Sequence, residues 1–393
     1  MSKGFKGRYT FSAGLIVLAT ILGLDFSVKQ VANQWKNRAK NKAQKTFQPP
    51  ETSHRQFSEN YHHGFVPLSK GREKYGSYEA EYFINSLGMR DQSERQISNT
   101  KPPGGRVLLL GDSFIDGVGM NYGDTVAGKL QAKLSPMGIE VLNGGVASYC
   151  PTLMEARLQH WIFKDRLEID LILAFIDISD VRDEMRYQRN PSGGFRPVDS
   201  TDFQDAIRAD EIEARPFRFW LESQVEKNFV LLGALARNLR QQYEKMGLAG
   251  SSVPFEYNRW PSYQGPLDSW VQQALQRQAK AADKILELCQ RQHVTLALVV
   301  YPGIEQIQEG QIEDRHVRFW RQWTVSRNVT LLSLYPEFVR TKDHFEDYVL
   351  SSRDGHWNAQ GAEVVASALL RSGVFDKLLN SRREPPLKSQ TRE

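Results

Sequence analysis

Ser113, His356 and Asp354 are the residues whose types could do chemistry together. A serine hydroxyl becomes a nucleophile when a base lies within hydrogen-bond reach and a carboxylate orients that base. Ser113 closes the stretch Val107-Leu108-Leu109-Leu110-Gly111-Asp112-Ser113, whose four apolar residues read as a short buried strand. Gly111 permits the sharp turn that would lift the hydroxyl clear of a sheet edge. The plain alternative is a strand followed by an ordinary Asp-Ser turn. Far along the chain, Asp354-Gly355-His356-Trp357-Asn358 opens the last helical stretch. There Asp354 could hold the Nδ1–H of His356 and leave Nε2 facing Ser113. A lone Asp-Gly-His turn would be structural; the pairing of the two blocks at opposite ends of one α/β pattern is what points to ester chemistry.

Such a site also needs donors for an oxyanion. The loop Asn143-Gly144-Gly145-Val146-Ala147-Ser148-Tyr149 offers backbone N–H groups, and Asp177-Ile178-Ser179-Asp180 follows the next strand. Asp112, Tyr149 and Trp357 are the candidates for substrate contact. Asp112 is equally suited to fixing the nucleophile loop by hydrogen bonds, and Trp357 to packing beside the last helix.

These residues need a frame. Strands are expected at 107–110, 139–142, 171–176, 295–300 and 329–332, with helices at 125–134, 152–167, 267–291, 315–327 and from 359 onward. Strands alternating with longer helical segments imply βαβ units and a mostly parallel sheet flanked by helices. Residues 185–265 break that rhythm and read as a helical insertion over the C-terminal edge of the sheet. Residues 61–105, rich in aromatics and glycine, read as an N-terminal extension packing on the core, which spans 106–380. Residues 26–60 read as a polar stalk and 381–393 as a polar tail.

Composition narrows the classes. The chain has 393 residues, 40% hydrophobic and 25% charged, enough for a sizeable core. Its net charge of +5 is spread among mixed signs, which argues against a dedicated nucleic-acid surface. Two cysteines, Cys150 and Cys289, could pair but do not make a disulfide framework, and no Cys/His spacing suggests zinc. No cofactor is called for. At the start, Lys3, Lys6 and Arg8 precede an apolar run from Tyr9 to Leu24. That is a signal or anchor pattern without a good cleavage site, so an uncleaved anchor over 1–25 is expected, with a buried or amphipathic helix as the alternative. The run is short against the roughly 20 residues of a full span. Lys29, Lys36, Arg38, Lys40, Lys42 and Lys45 would pull the following segment toward the cytoplasm.

With Gly111-Asp112-Ser113 near one end and Asp354-Gly355-His356-Trp357 near the other, the chain resembles the SGNH/GDSL hydrolase superfamily. The resemblance covers roughly residues 80–185 and 290–375. It implies a three-layer α/β fold in which Ser113 is the nucleophile, His356 the base and Asp354 its orienter. By the same resemblance the backbone N–H groups of Ser113 and Ser148, helped by Ser179, hold the oxyanion. Ser148 stands where the family has its donor glycine. Ser179 replaces the asparagine whose side chain completes the oxyanion hole, a larger departure. The short Asp-x-His-Trp block is similar to the alginate O-acetyltransferase-like branch, whose members are membrane-associated periplasmic proteins that acetylate polysaccharides. That implies an acylated carbohydrate or other ester as substrate, an inner-membrane anchor with the catalytic domain outside the cytoplasm, and a membrane acyl-donor protein as an open partner. Esterase, O-acetyltransferase and a catalytically weak carbohydrate-binding scaffold all remain readings of the same residues.

Other features have competing readings. Asp177, Asp180, Asp183 and Glu184, with Asp112, could ligate a metal. Capping a helix near Asp180, or pairing with Arg182 and Arg186, is the expected role. Arg90 is expected to stabilise a turn by a salt bridge, with a ligand contact as the alternative; Cys150 is expected to pack, and Tyr301 ends the fourth strand, either bordering the pocket or in a simple turn.

Overall fold

The computed structural model describes residues 54–187, 189–195, 260–262, 267, 269–351 and 355–380. All belong to one compact unit formed by Thr52–Ala206 and Phe255–Glu393. The expected anchor, the stalk up to residue 53, most of the insertion, the polar tail and Asp354 lie outside the described residues. Among the described residues no helix is long and apolar enough to cross a membrane.

An eight-stranded sheet carries the unit, in the order β10-β9-β8-β6-β7-β5-β4-β3. Its centre is β6 (Arg106–Leu110), with β7 (Glu140–Asn143) on one side and β8 (Leu171–Ile176) on the other. Beyond β8 come β9 (Thr295–Val300) and β10 (Thr330–Ser333), and these five strands run parallel. Every residue of β6 and β8 is buried, as near-continuous apolar runs in a sheet covered on both faces must be. Alternate side chains feed two apolar layers. Leu108 and Leu110 meet Leu153, Ile285 and Trp320 on one face; Val107 and Leu109 meet Leu130, Val365 and Leu369 on the other. The helices around the sheet include α2 (Val126–Leu134), α3 (Pro151–Gln159), α4 (Asp180–Arg186), α5 (Ser269–Arg291), α6 (Arg315–Arg327) and α7 (Ala359–Arg371). Their starts follow local chemistry: Thr125, Asp314 and Asn358 each accept a backbone N–H at an N-cap.

The 61–105 segment does more than pack on the core. Its strands β3 (Lys70–Tyr75), β4 (Tyr78–Ile84) and β5 (Arg90–Asp91) continue the main sheet antiparallel, joined to β7 where Arg90 faces Asn143. β3 is a charged edge strand, half exposed along its length, which explains why no buried run announces it. Residues 55–58, placed in the stalk by sequence, form strand β1 (Arg55–Ser58), which pairs antiparallel with β2 (His62–Phe65). Cys150 and Cys289 are both buried and unpaired.

The parallel strands end together at Leu110, Asn143, Ile176 and Val300. The chain turns from β6 to β7 on one side, then returns across β6 to β8. That reversal leaves a crevice at the carboxyl ends of the strands, where open α/β sheets place their ligands.

Candidate active site

Ser113 stands in this crevice. After Leu110 the backbone passes so close to its own next turn that only Gly111 fits: a Cβ there would lie 2.5 Å from Ile115 Cγ1 and 3.2 Å from Phe175 Cβ. Asp112 then caps the one-turn helix α1 (Ser113–Asp116), its Oδ1 accepting the Phe114 N–H at 3.0 Å. The helix ends on Gly117, whose φ of +80° favours glycine.

His356 arrives from the far end of the chain. Its Nε2 is 2.7 Å from Ser113 Oγ. Four local devices hold its loop. The Leu350 N–H donates to the His356 carbonyl at 2.7 Å, and Trp357 bridges Val349. Asn358 Nδ2 donates to the carbonyls of Asp347 and Val349, and Gly355 takes a φ of +76°. Phe114 stacks on the imidazole, ring centroids 4.5 Å apart. At the other ring nitrogen, Nδ1 lies 2.9 Å from the Tyr75 hydroxyl oxygen.

The loop after β7 is held almost completely. The N–H groups of Gly144, Gly145, Val146, Ala147 and Tyr149 donate to Leu109 O, Asn143 Oδ1, Gly111 O, Asp116 Oδ2 and Val146 O. Ser148, with φ +65°, is the exception: among the described residues its N–H has no acceptor. The Ser113 N–H has none either. Two N–H groups are thus left to meet an oxygen developing charge beside Ser113. The left-handed conformation at Ser148 is one that glycine adopts without strain.

Ser179 differs from expectation. Its hydroxyl and its N–H both donate to Asp177 Oδ1 at 2.9 Å, so the hydroxyl is committed away from an oxyanion. Tyr149 also differs: it is fully buried, and its hydroxyl donates to the His63 carbonyl at 2.5 Å. Trp357 is buried against Phe338, Tyr301 and Phe114, so its packing role is the one realised. Asp112 is buried too; besides the Phe114 N–H, its Oδ1 accepts the Tyr301 hydroxyl at 2.9 Å. It positions the nucleophile loop from beneath.

Asp112, Asp177 and Asp180 form the floor, with one oxygen of each lying within 4.8 Å of the others. Burial, then the Asp177 charge, pushes the Asp112 carboxyl well above the usual carboxylate range. Asp180 is raised likewise by burial, Asp177 and Asp112. Asp177 is raised by burial, while its bonds from Ser179 and Asp180 and the nearby His356 pull it down. Three donors on one oxygen suit an ionised Asp177, so the shared proton resides on its neighbours. Hard oxygen ligands of this kind would suit Mg²⁺ or Ca²⁺. The oxygens Asp177 Oδ1 and Asp112 Oδ1 are, however, already taken by hydrogen bonds within the protein.

The N-terminal strands give support that sequence reading missed, apart from the turn-stabilising role of Arg90. The buried Arg90 donates from Nη1 to the carbonyls of Asp116 and Gly117, both at 2.7 Å, and from Nη2 to those of Glu81 and Met120. It clamps the loop after α1 largely through carbonyls; its nearest carboxylate, Asp116 Oδ1, is 3.8 Å away. Arg55 pairs with Asp116 Oδ2 at 2.9 Å, the same oxygen that accepts the Ala147 N–H. His63 Nε2 donates to the Ala147 carbonyl at 2.8 Å, and burial lowers the imidazole to about 3, keeping it neutral.

No protein-family model matches the chain, and no curated protein matches it. Solved structures similar to it include the acetyl xylan esterase AlAXEase, at 13% identity and a TM-score of 0.38 over 68% of this chain and 98% of that one. Another is the psychrotrophic esterase EstA from Pseudoalteromonas sp., at 12% and 0.38 over 70% and 99%. A member of the lipolytic protein G-D-S-L family from Veillonella parvula is similar at 11% and 0.36 over 68% and 97%. Likeness at this level leaves the chemistry of this chain to be argued from its own residues.

Proposed function

We propose that the chain is a serine-dependent ester hydrolase acting through an acyl-enzyme. The observation that carries this reading is the 2.7 Å contact between Ser113 Oγ and His356 Nε2 at the carboxyl edge of a parallel sheet. The Ser113 and Ser148 N–H groups beside it have no acceptor among the described residues. Ser113 attacks the ester carbonyl as His356 Nε2 takes its proton. The two N–H groups receive the oxyanion. His356 then gives the proton to the departing alcohol, leaving an acyl-Ser113. Water, activated by the same nitrogen, releases the acid and restores the serine. Asp354 is assigned as orienter from its place two residues before His356 and from the resemblance.

The favoured substrate is an O-acyl, chiefly O-acetyl, group on an envelope or exported polysaccharide. The short Asp-x-His-Trp block and the basic-then-apolar start of the chain support that context, and with it a membrane anchor and an extracytoplasmic site. A sugar hydroxyl replacing water in the second step would make the protein an O-acetyltransferase. The commitment of the Ser179 hydroxyl to Asp177 favours a third reading, a catalytically weak scaffold, because it leaves the oxyanion two donors.

The full chain, purified in detergent, is assayed with p-nitrophenyl acetate, with and without an oligosaccharide acceptor, beside Ser113→Ala and His356→Ala. Turnover abolished in both variants, with phosphonate labelling confined to Ser113, is the expected result. Acetylated oligosaccharide would identify the transferase. Absence of both turnover and labelling in the unaltered protein would overturn the enzyme reading in favour of the scaffold.

A further inference from the structure

We propose that Tyr75 is a positioning residue for His356, holding the imidazole in the tautomer that can act as a base. The inference rests on the catalytic reading of Ser113 and His356 and extends it to a strand outside the parallel core.

The imidazole has two nitrogens, and the hydrogen bond at one decides what the other can do. For Nε2 to accept the Ser113 proton, the neutral ring must carry its own proton on Nδ1. The Tyr75 oxygen, 2.9 Å away, accepts that Nδ1–H. Once the serine proton has moved, both ring nitrogens are donors, and the Tyr75 oxygen still faces a hydrogen. The same contact therefore fits both states of the step without rearrangement. If the ring took the other tautomer, Nε2 would present a hydrogen to the Ser113 hydroxyl and could not take its proton.

The placement of Tyr75 is built rather than incidental. It is the last residue of β3, at the tip of the hairpin that turns through Gly76 at φ +59°. Tyr78, the first residue of β4, donates its hydroxyl to the Leu350 carbonyl at 2.7 Å. Leu350 in turn donates its N–H to the His356 carbonyl. The hairpin tip and the His356 loop are thus joined twice, once through backbone and once through the imidazole. The Tyr75 ring packs edge-on to the imidazole, centroids 5.0 Å apart, while Phe114 stacks on it at a shallow angle. Whatever Asp354 adds, the phenol oxygen fixes the ring at Nδ1 from the outer edge of the sheet.

Tyr75→Phe keeps the ring and removes only the oxygen. Losing one neutral hydrogen bond and the tautomer bias it supplies should lower kcat about tenfold. KM for p-nitrophenyl acetate and the melting temperature should stay unchanged. The second readout is the low-field imidazole N–H resonance, assigned through its loss in His356→Ala. In Tyr75→Phe it should move upfield or vanish by exchange. An unchanged resonance would overturn the proposal whatever happens to kcat, because the phenol would then act through packing alone. Unaltered kcat would overturn it as well. Because the resonance is read without substrate, an unaltered protein that lacks turnover would refute the esterase reading while the bond at Nδ1 is still tested.

Discussion

Asp112→Asn distinguishes two electrostatic states of the floor beneath Ser113. One oxygen of Asp112 lies within 4.8 Å of an oxygen on each of Asp177 and Asp180. At an effective dielectric near 20, a pair of unit charges at that separation repels by about 3.5 kcal/mol, so the ionised Asp177 alone opposes ionisation of Asp112 by about that much. Keeping a proton at pH 7 on a carboxyl that ordinarily titrates near 4 costs about 4 kcal/mol. Repulsion nearly matches that cost and burial, the larger cause, exceeds the remainder, so Asp112 is held neutral, in line with its raised titration. Asparagine then reproduces what is present. Its oxygen accepts from the Phe114 N–H and the Tyr301 hydroxyl, and its amide donates to the neighbouring carboxylates. At pH 4 and below, where this carboxyl is protonated in both folded and unfolded protein, the unfolding free energy, from urea denaturation, should stay within about 1 kcal/mol of the unaltered protein, against about 2 kcal/mol or more lost in Asp112→Ala. The sign with pH also follows. A group raised in the folded state stabilises fully below its ordinary range, and that contribution is lost as pH rises through the raised value. Asparagine does not titrate, so the comparison should move in its favour by up to about 1.4 kcal/mol per pH unit there. A cost above about 2 kcal/mol at pH 7 that is flat with pH would mean that Asp112 is ionised, and would refute the shared-proton floor.

The remaining expectations concern the loop after β7 and the titration of buried groups. Ser148→Gly should retain turnover and melt at or slightly above the unaltered protein, because only a backbone N–H is needed and φ is +65°. Ser148→Val, β-branched at a left-handed position, should lower both, as esterase assay and calorimetry would show. Burial raises Glu184 to about 7, so its contribution to stability is present at low pH and lost as pH rises toward that value. Burial lowers His316 to about 3, so its contribution is present above the ordinary histidine range and lost as pH falls. Glu184→Gln should therefore flatten the alkaline side of the stability profile and His316→Gln the acid side, each by about 3 kcal/mol or more, measured by denaturation between pH 4 and 8.

The parts of the fold legible in the sequence were those whose signal is local. The runs at 171–176 and 295–300 coincide with β8 and β9 because buried parallel strands are apolar without alternation. The helix at 315–327 coincides with α6, which Asp314 starts and Asn328, at φ +54°, stops. By contrast, β3 alternates charged and half-buried residues at a sheet edge, and β5 pairs with β7 at a single residue, so neither shows a period that marks it as part of the main sheet. Ser179 looked like a free hydroxyl because the sequence cannot show that Asp177 Oδ1 already holds it.

The same distinction explains what was hidden in the site. Ser113, Gly111 and Asp112 are neighbours, and the turn they make is set by residues next to them. The groups that restrain that turn come from elsewhere: Arg55 and Arg90 meet Asp116 and Gly117, and His63 meets Ala147. Each contact joins a side chain to backbone or to a buried carboxylate, and such pairings leave no spacing to read. Their arrangement has a mechanical consequence. The nucleophile loop and the donor loop share one anchor, Asp116 Oδ2, which accepts from Arg55 and from the Ala147 N–H. A displacement of β1 would therefore shift the Ser113 and Ser148 loops together rather than separately. The N-terminal strands, although outside the parallel core, are part of what sets the distance between attacking oxygen and oxyanion donors.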